Sequence, residues 1–386
     1  MKRKPAASVD VMSILAEVRR NEATLIERLQ TLVEIESPSS HKAGVDHAQS
    51  VFAAWAEAAG GKVRRHAHRD CGDSIEVRFG VAARGQKPTM LLGHLDTVWE
   101  LGTLAKMPFR ITRDRISGPG VLDMKAGVLM MLTAIESLKN MRQLHRPVIL
   151  LIHGDEEVGS PASRKLTESL ARKCADVYVL EPAQGDAGAY KTARKGVGHY
   201  RLQVDGVASH SGVDFEKGHS AVVELARQIE VLQSLTDLSK GITVNPGVIG
   251  GGTCSNVIAA QAWVEIDVRI ARVKDTAGVD RALRSLRPLD KGCKLTISGG
   301  MNRPPMERSK GTAALFSSAQ KFATGLGIAL EDAATGGASD GNLTAALGIP
   351  TLDGMGAVGA GAHAPHEHLQ RKHLLPRTAL LAAMLL

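Results

Sequence analysis

Leu91-Leu92-Gly93-His94-Leu95-Asp96-Thr97-Val98 is the stretch on which the reading of this chain turns. The mostly apolar residues from Thr89 to Leu92 predict a buried strand, and that strand runs into an imidazole and, two residues on, a carboxylate. Side chains of an extended segment alternate between faces, so positions 94 and 96 point the same way. His94 can therefore turn a ring nitrogen toward a metal while Asp96 orients it, the kind of partner a metal-bound imidazole needs. A single His-x-Asp is weak evidence, and the reading gains weight only from what the flanking elements place at comparable points.

Upstream, Val11, Ile14, Leu15, Val18, Leu25, Leu29, Leu32 and Val33 recur at helical spacing and predict one or two amphipathic helices from Val9 to about Ile35. Glu36-Ser37-Pro38-Ser39-Ser40 ends them, and a second helical run from Ala43 stops at Gly60-Gly61. Strand-like runs follow at Lys62 to Arg65 and Ser74 to Phe79. Downstream, the Gly-rich loop Ser117-Gly118-Pro119-Gly120-Val121-Leu122-Asp123 opens an apolar helix that reaches Leu138. Pro147 to Ile152 predicts a strand ending at His153-Gly154-Asp155-Glu156-Glu157, a helix covers about Pro161 to Lys173, and Val177 to Leu180 predicts a strand ending at Glu181-Pro182. Strands alternating with helices imply an α/β layer.

The texture changes near Lys191. Tyr200 to Val204, Ile242 to Ile249, Gln261 to Ile270 and Leu295 to Ser298 predict half-buried strands, with helices near Gly218 to Leu235 and Asp275 to Leu286. This is a compact α+β module of about 110 residues inserted into the larger domain, whose pattern resumes near Ser309. The expected division is a catalytic domain of residues 1–190 and 304–386 and an inserted domain of residues 191–303.

Ligands of open α/β sheets bind beyond the carboxyl ends of the strands. On that edge the pattern gathers His94, Asp123, Glu156, Glu157 and Glu181, joined by His363 in Gly361-Ala362-His363-Ala364-Pro365-His366-Glu367. Taken singly, Glu156-Glu157 suits a solvated turn, Asp123 a helix cap, Glu181 a strand end and His363 a loop. Taken together, imidazoles with carboxylates form a mixed nitrogen/oxygen donor set suited to zinc or a similar divalent metal without thiolate.

Bulk properties narrow the classes further. The chain has 386 residues, 44% hydrophobic and 23% charged, which suits a soluble globular protein of two domains. Aromatic residues make up only 3%, which argues against base-stacking nucleic-acid recognition. The formal charge of +8 is not gathered into a basic block, so neither a nucleic-acid arm nor a membrane-surface arm is expected, while anionic substrates would be attracted. Cys71, Cys174, Cys254 and Cys293 form no Cys-x-x-Cys pair. Lys2, Arg3 and Lys4 precede an amphipathic stretch rather than an apolar one, so no signal peptide or membrane span is expected and a cytoplasmic location is the default.

With these residues in view, the chain resembles the co-catalytic zinc peptidases, a family of aminoacylases, acetylornithine and succinyl-diaminopimelate deacylases, and glutamate carboxypeptidases of the carboxypeptidase G type. His94-x-Asp96, Gly-x-Gly-x-x-Asp123-Met-Lys, Glu156-Glu157, Glu181-Pro182 and His363 look like its successive motifs, over about Leu25 to Leu386. Asp123-Met124-Lys125-Ala126-Gly127, Thr192-Ala193-Arg194-Lys195-Gly196, Asn302-Arg303-Pro304-Pro305-Met306 and Gly336-Gly337-Ala338-Ser339-Asp340-Gly341-Asn342 look most like the glutamate carboxypeptidase branch.

The resemblance implies a mixed sheet with flanking helices and a ferredoxin-like lid or dimerisation domain. It implies two zinc ions, with Co2+ or Mn2+ as substitutes, bridged by Asp123, whose peptide bond to Met124 would be cis. His94 and Glu181 would complete one metal site, and Glu157 and His363 the other. Glu156 would act as general base and acid, and Asp96 would orient His94. His210 would reach the active site of a partner subunit in a homodimer and support the oxyanion. Asn256 and Arg269 match positions that bind a substrate carboxylate or line a shared pocket, and Arg303 one that helps hold an acidic side chain. The implied reaction is release of a C-terminal amino acid, glutamate above all, from a small peptide or acyl-amino acid; deacylation of N-acyl amino acids and non-catalytic peptide binding are the alternatives. Two departures stand out: His366 replaces the Asp or Asn that relatives often carry, and Gln184 to Ala189 lacks a Lys that some relatives place there.

Overall fold

In a computed structural model the protein is described over residues 10–81 and 85–386. The basic residues Lys2, Arg3 and Lys4 lie outside the described residues. The chain divides into two units, one of residues 1–193, 308–335 and 339–386, the other of residues 194–307 and 336–338.

The first unit is built on a six-stranded mixed sheet. Its spatial order is Lys62–His66, Ser74–Phe79, Val148–His153, Thr89–His94, Asp176–Val179, Thr351–Leu352. The last four strands run parallel and the first two are antiparallel, so the His94 strand lies between two parallel neighbours. The unbroken apolar runs have a simple cause. Leu91, Leu150 and Ile152 pack into one hydrophobic layer, while Met90, Leu92, Ile149 and Leu151 pack into another on the opposite face. Parallel strands covered on both faces carry continuous rather than alternating hydrophobicity.

Helices Val11–Arg20, Glu22–Glu34, Ala126–Asn140 and Arg371–Met384 fill the larger layer. Gly127 lets helix Ala126–Asn140 approach the neighbouring strand exit, since a Cβ there would lie 2.1 Å from the Leu180 carbonyl oxygen. The expected helix from Pro161 begins only at Arg164 and ends at Ala171. Ala162 and Ser163 instead turn their amides onto Asp155 Oδ2, at 2.8 and 3.1 Å. A small sheet, not anticipated from the sequence, joins Arg110–Ile111, Arg115–Ser117, Gly359–Ala360 and His368–Gln370 and carries the His363 loop.

The second unit has strands Gly196–Asp205, Thr243–Gly251, Gln261–Ile270 and Lys294–Arg303, with helices Ala221–Ser234 and Val273–Arg284 between them in the order β-α-β-β-α-β. The sheet is antiparallel throughout, and in space its fourth strand lies beside the first, then the third, then the second. This is ferredoxin-like topology. Strand Gln261–Ile270 alternates strictly between inner and outer residues, as expected of a sheet with helices on one face only. Its core, around Leu202, Val204, Val264, Ile266 and Leu283, is separate from those of the first unit.

Candidate metal centre

Six of the sequence-predicted residues meet beyond the carboxyl edge of the first unit's sheet. His94 ends its strand and is buried. Asp123 stands in the turn Val121–Lys125 ahead of helix Ala126–Asn140, and its peptide bond to Met124 is cis. Glu156 and Glu157 form a single 3₁₀ turn after strand Val148–His153. Glu181 lies two residues past strand Asp176–Val179, and His363 sits in the loop of the small sheet with φ of 62°.

The Asp123 carboxylate divides between two imidazoles. His94 Nε2 lies 3.5 Å from Asp123 Oδ1 and 3.5 Å from a Glu181 oxygen. His363 Nε2 lies 3.4 Å from Asp123 Oδ2 and 3.2 Å from Glu157 Oε2. Two groups of donor atoms each fall within 4.8 Å: His94 with Asp123 and Glu157, and His94 with Glu156 and Glu181. Glu156 thus offers an oxygen at the same cluster as Glu181.

Asp96 touches more than His94. The His94 Nδ1 atom lies 2.9 Å from the Asp96 carbonyl oxygen and 3.4 Å from its carboxylate. The Asp96 carboxylate accepts the amides of Glu156 and Glu157 at 3.2 and 3.1 Å and the Ser39 hydroxyl at 2.6 Å. Ser39 and Glu367 belong to this site, and sequence reasoning missed both. Glu367 is fully buried and accepts four hydrogen bonds around Asp123. The sequence signal for it was slight: a carboxylate four residues after the candidate ligand His363, next to His366. His366 is exposed, and its carbonyl oxygen accepts a bond from His368 Nδ1 at 2.8 Å.

The electrostatics follow from packing acids against imidazoles. Burial works against a charged His94, yet Asp123, Asp96 and Glu181 outweigh it and hold the imidazole well above its usual range. Asp123 and Glu157 raise His363 to about 10. Burial opposes ionisation of Asp123, but His363 and His94 prevail and hold its carboxyl far below normal. Burial pushes Glu157 up to about 7. The cluster is therefore acidic enough to draw protons onto its own histidines, which is how a cation site behaves when protons stand in for the cation.

The residues fit a divalent metal pair. Asp123 Oδ1 and Glu157 Oε1 are buried and accept no hydrogen bond, so the polypeptide leaves two carboxylate oxygens turned into the cluster. Buried polar atoms are otherwise satisfied as a rule, and an all-nitrogen-and-oxygen donor set suits zinc or manganese.

The remaining predicted residues belong to the second unit. His210 is exposed and bridges Val257 through its backbone, and Ser211 N donates to the Asn256 carbonyl at 3.0 Å, so His210 and Asn256 are neighbours. Arg269 sets its guanidinium on both Asp267 oxygens at 2.8 and 2.9 Å. Arg303 is buried at the end of its strand and donates to Asn302 Oδ1 at 2.8 Å.

Imidazoles and carboxylates converging on the carboxyl edge of the parallel strands of a mixed sheet, with an inserted ferredoxin-like unit, define a metal-dependent hydrolase of the α/β class. Residues 90–386 match the family described as Peptidase family M20/M25/M40, and the chain belongs to that family. It is 29% identical over 373 residues to carboxypeptidase G2 of Pseudomonas sp. (strain RS-16), covering 94% of this chain and 88% of that protein. The fold matches aminopeptidase PepT of Bacillus cereus with a TM-score of 0.79 at 20% identity, over 95% of this chain and 98% of the other. It also matches the YXEP protein of Bacillus subtilis, a dinuclear metal binding peptidase from the M20 family, with a TM-score of 0.70 at 15% identity, over 95% and 98% of the two chains. The chain is thus a hydrolase of amide bonds. Among the described residues no helix is long and apolar enough to cross a membrane.

Proposed function

We propose that the protein is a two-metal carboxypeptidase that releases a C-terminal amino acid, glutamate above all, from a small peptide or acyl-amino acid. The observation that carries the two-metal reading is the division of Asp123, one oxygen toward His94 and Glu181, the other toward His363 and Glu157. Two zinc ions bound there would supply Lewis acidity and make a water nucleophilic near neutral pH. The chain's own residues do the rest. Asp123 fixes the spacing. Glu156, beside the ligand Glu157, takes a proton from the attacking water on its carboxylate and delivers it to the leaving amine, a role open to it only while it is not held as a ligand. Asp96 holds the turn that presents both glutamates.

In this reading residues 194–307 form a lid and dimerisation domain, and His210 comes from a second copy to donate to the developing oxyanion. Asn256, Arg269 and Arg303 serve the substrate's carboxylates, for which a guanidinium fork is the better match. The similarity to a carboxypeptidase over most of both chains supports the choice of bond.

The test is a hydrolysis panel on the zinc-loaded protein: peptidyl- and acyl-glutamates, acyl-aspartates, neutral N-acyl amino acids and dipeptides. Fast glutamate release that falls by about 10²–10⁴ in Glu156→Gln, with zinc content unchanged, is the expected result. Turnover mainly of neutral N-acyl amino acids would make it a deacylase instead. Loss of zinc from the variant would make Glu156 a ligand.

A further inference from the structure

Three loops deliver the groups around Asp123, and one buried carboxylate ties them together. Glu367 Oε2 accepts the indole N–H of Trp99 at 2.8 Å and the amide of Gly120 at 2.9 Å. Its Oε1 accepts the amides of Leu122 and Asp123 at 2.9 and 3.1 Å. Trp99 belongs to the segment leaving the His94 strand. Gly120 to Asp123 is the turn that carries the shared carboxylate. Glu367 itself closes the turn that carries His363, through bonds from Ala364 N to the Gly361 carbonyl and from Glu367 N to the Ala364 carbonyl.

All four partners are donors, two to each oxygen. Only an ionised carboxylate, which accepts everywhere and donates nowhere, satisfies them at once. Bonds to a charged acceptor are also the stronger kind. Resting on the two-metal reading above, we propose that Glu367 is a positioning residue that sets the distance between His363 and Asp123 and so forms the metal site completed by His363 and Glu157.

The two sites should depend on it unequally. His94 and Glu181 stand at or just beyond the ends of paired strands, with Leu180 N bonded to the Leu92 carbonyl at 3.1 Å. His363 has no such support. It lies half-exposed in a left-handed conformation, on a turn joined at its base by the pairing of Gly359–Ala360 with His368 and Leu369 and tied there to the Asp123 turn by Glu367.

The test is a zinc titration of the metal-free full-length protein against a chromophoric chelator, with the melting temperature followed in parallel. Glu367→Gln keeps the volume but turns an NH2 toward two N–H groups. It is expected to bind the zinc completed by His363 and Glu157 about 10–100-fold more weakly, the usual cost of losing a group that holds a ligand in place, and the other zinc, which shares Asp123, with a clearly smaller loss. A carboxylate that served only the fold would lower the melting temperature without separating the two affinities. Trp99→Phe removes one of the four donors and decides the matter if Glu367→Gln does not fold, with a smaller weakening of the same zinc, the one completed by His363 and Glu157, expected. Unchanged binding of both zinc ions in a folded Glu367→Gln, or in Trp99→Phe when the first variant does not fold, would overturn the proposal. A wild type that takes up two zinc ions keeps the two-metal reading whatever the variants do; one that takes up fewer overturns both.

Discussion

Asp96 shows how much one side chain can carry. Its two oxygens accept from Ser39 and from the amides of Glu156 and Glu157, residues far away in sequence. Burial opposes its charge, but His94, Ser39 and the Glu157 amide outweigh burial and hold its carboxyl below the ordinary range. Asp96→Asn retains the shape but turns one acceptor into a donor facing an amide or hydroxyl. A buried mismatch of this kind costs about 1–3 kcal/mol. The 3₁₀ turn should then shift its glutamates, and kcat is expected to fall about 10–100-fold with KM little changed; steady-state kinetics at saturating zinc measure both. A rise in KM with no loss of kcat would show that Asp96 acts on substrate binding instead. Sequence alternation placed Asp96 beside His94 correctly. It could not show the amides, because backbone donors leave no trace in the residue pattern.

At the scale of elements, the legible parts were those with long apolar runs. The strands at Ser74–Phe79, Thr89–His94 and Val148–His153 and the four strands of the inserted unit follow hydrophobic pattern closely, because burial on one or both faces dictates their composition. The small sheet at Arg110–Ile111, Arg115–Ser117, Gly359–Ala360 and His368–Gln370 was not legible, since segments of two or three residues are too short to show a period. Arg377 was hidden for another reason. It lies in the last helix, Arg371–Met384, where an Arg ordinarily faces solvent, yet it is fully buried. Its guanidinium donates to the carbonyls of Gly356, Gly188 and Gly354 at 2.7, 2.7 and 2.8 Å and lies 4.7 Å from the Tyr190 ring centroid. These carbonyls belong to the segments that flank Glu181, whose own carbonyl accepts from Gly356 N at 3.0 Å. Arg377→Met would leave three buried acceptors without donors, at about 1 kcal/mol or more each. A loss of about 3 kcal/mol or more is expected in urea unfolding, and Arg377→Lys should recover part of it, since an ammonium can serve some of the three but not all in one fork.

At the scale of the whole molecule, the two units have separate hydrophobic cores, and every candidate metal donor lies in the first. A ligand that binds only the native state stabilises what it binds, by RT ln(1 + [L]/Kd), or about 2.7 kcal/mol at a hundred times Kd. Zinc should therefore act on one cooperative block and leave the other alone. Residues 194–307 form a ferredoxin-like unit of about 110 residues, large enough to hold a core of its own. Scanning calorimetry of the full chain, metal-free and then with excess zinc, is expected to show two transitions, of which only the one belonging to the catalytic unit moves upward. Its size should identify it, because unfolding enthalpy scales with residue number at about 0.7 kcal/mol per residue near 60 °C and the catalytic unit is the larger. If both transitions move together, or if a single transition carries the whole enthalpy, the units unfold as one and the metal centre stabilises the inserted unit as well. In that case the inserted unit is energetically coupled to the site, and metal loss would loosen the surface that carries His210.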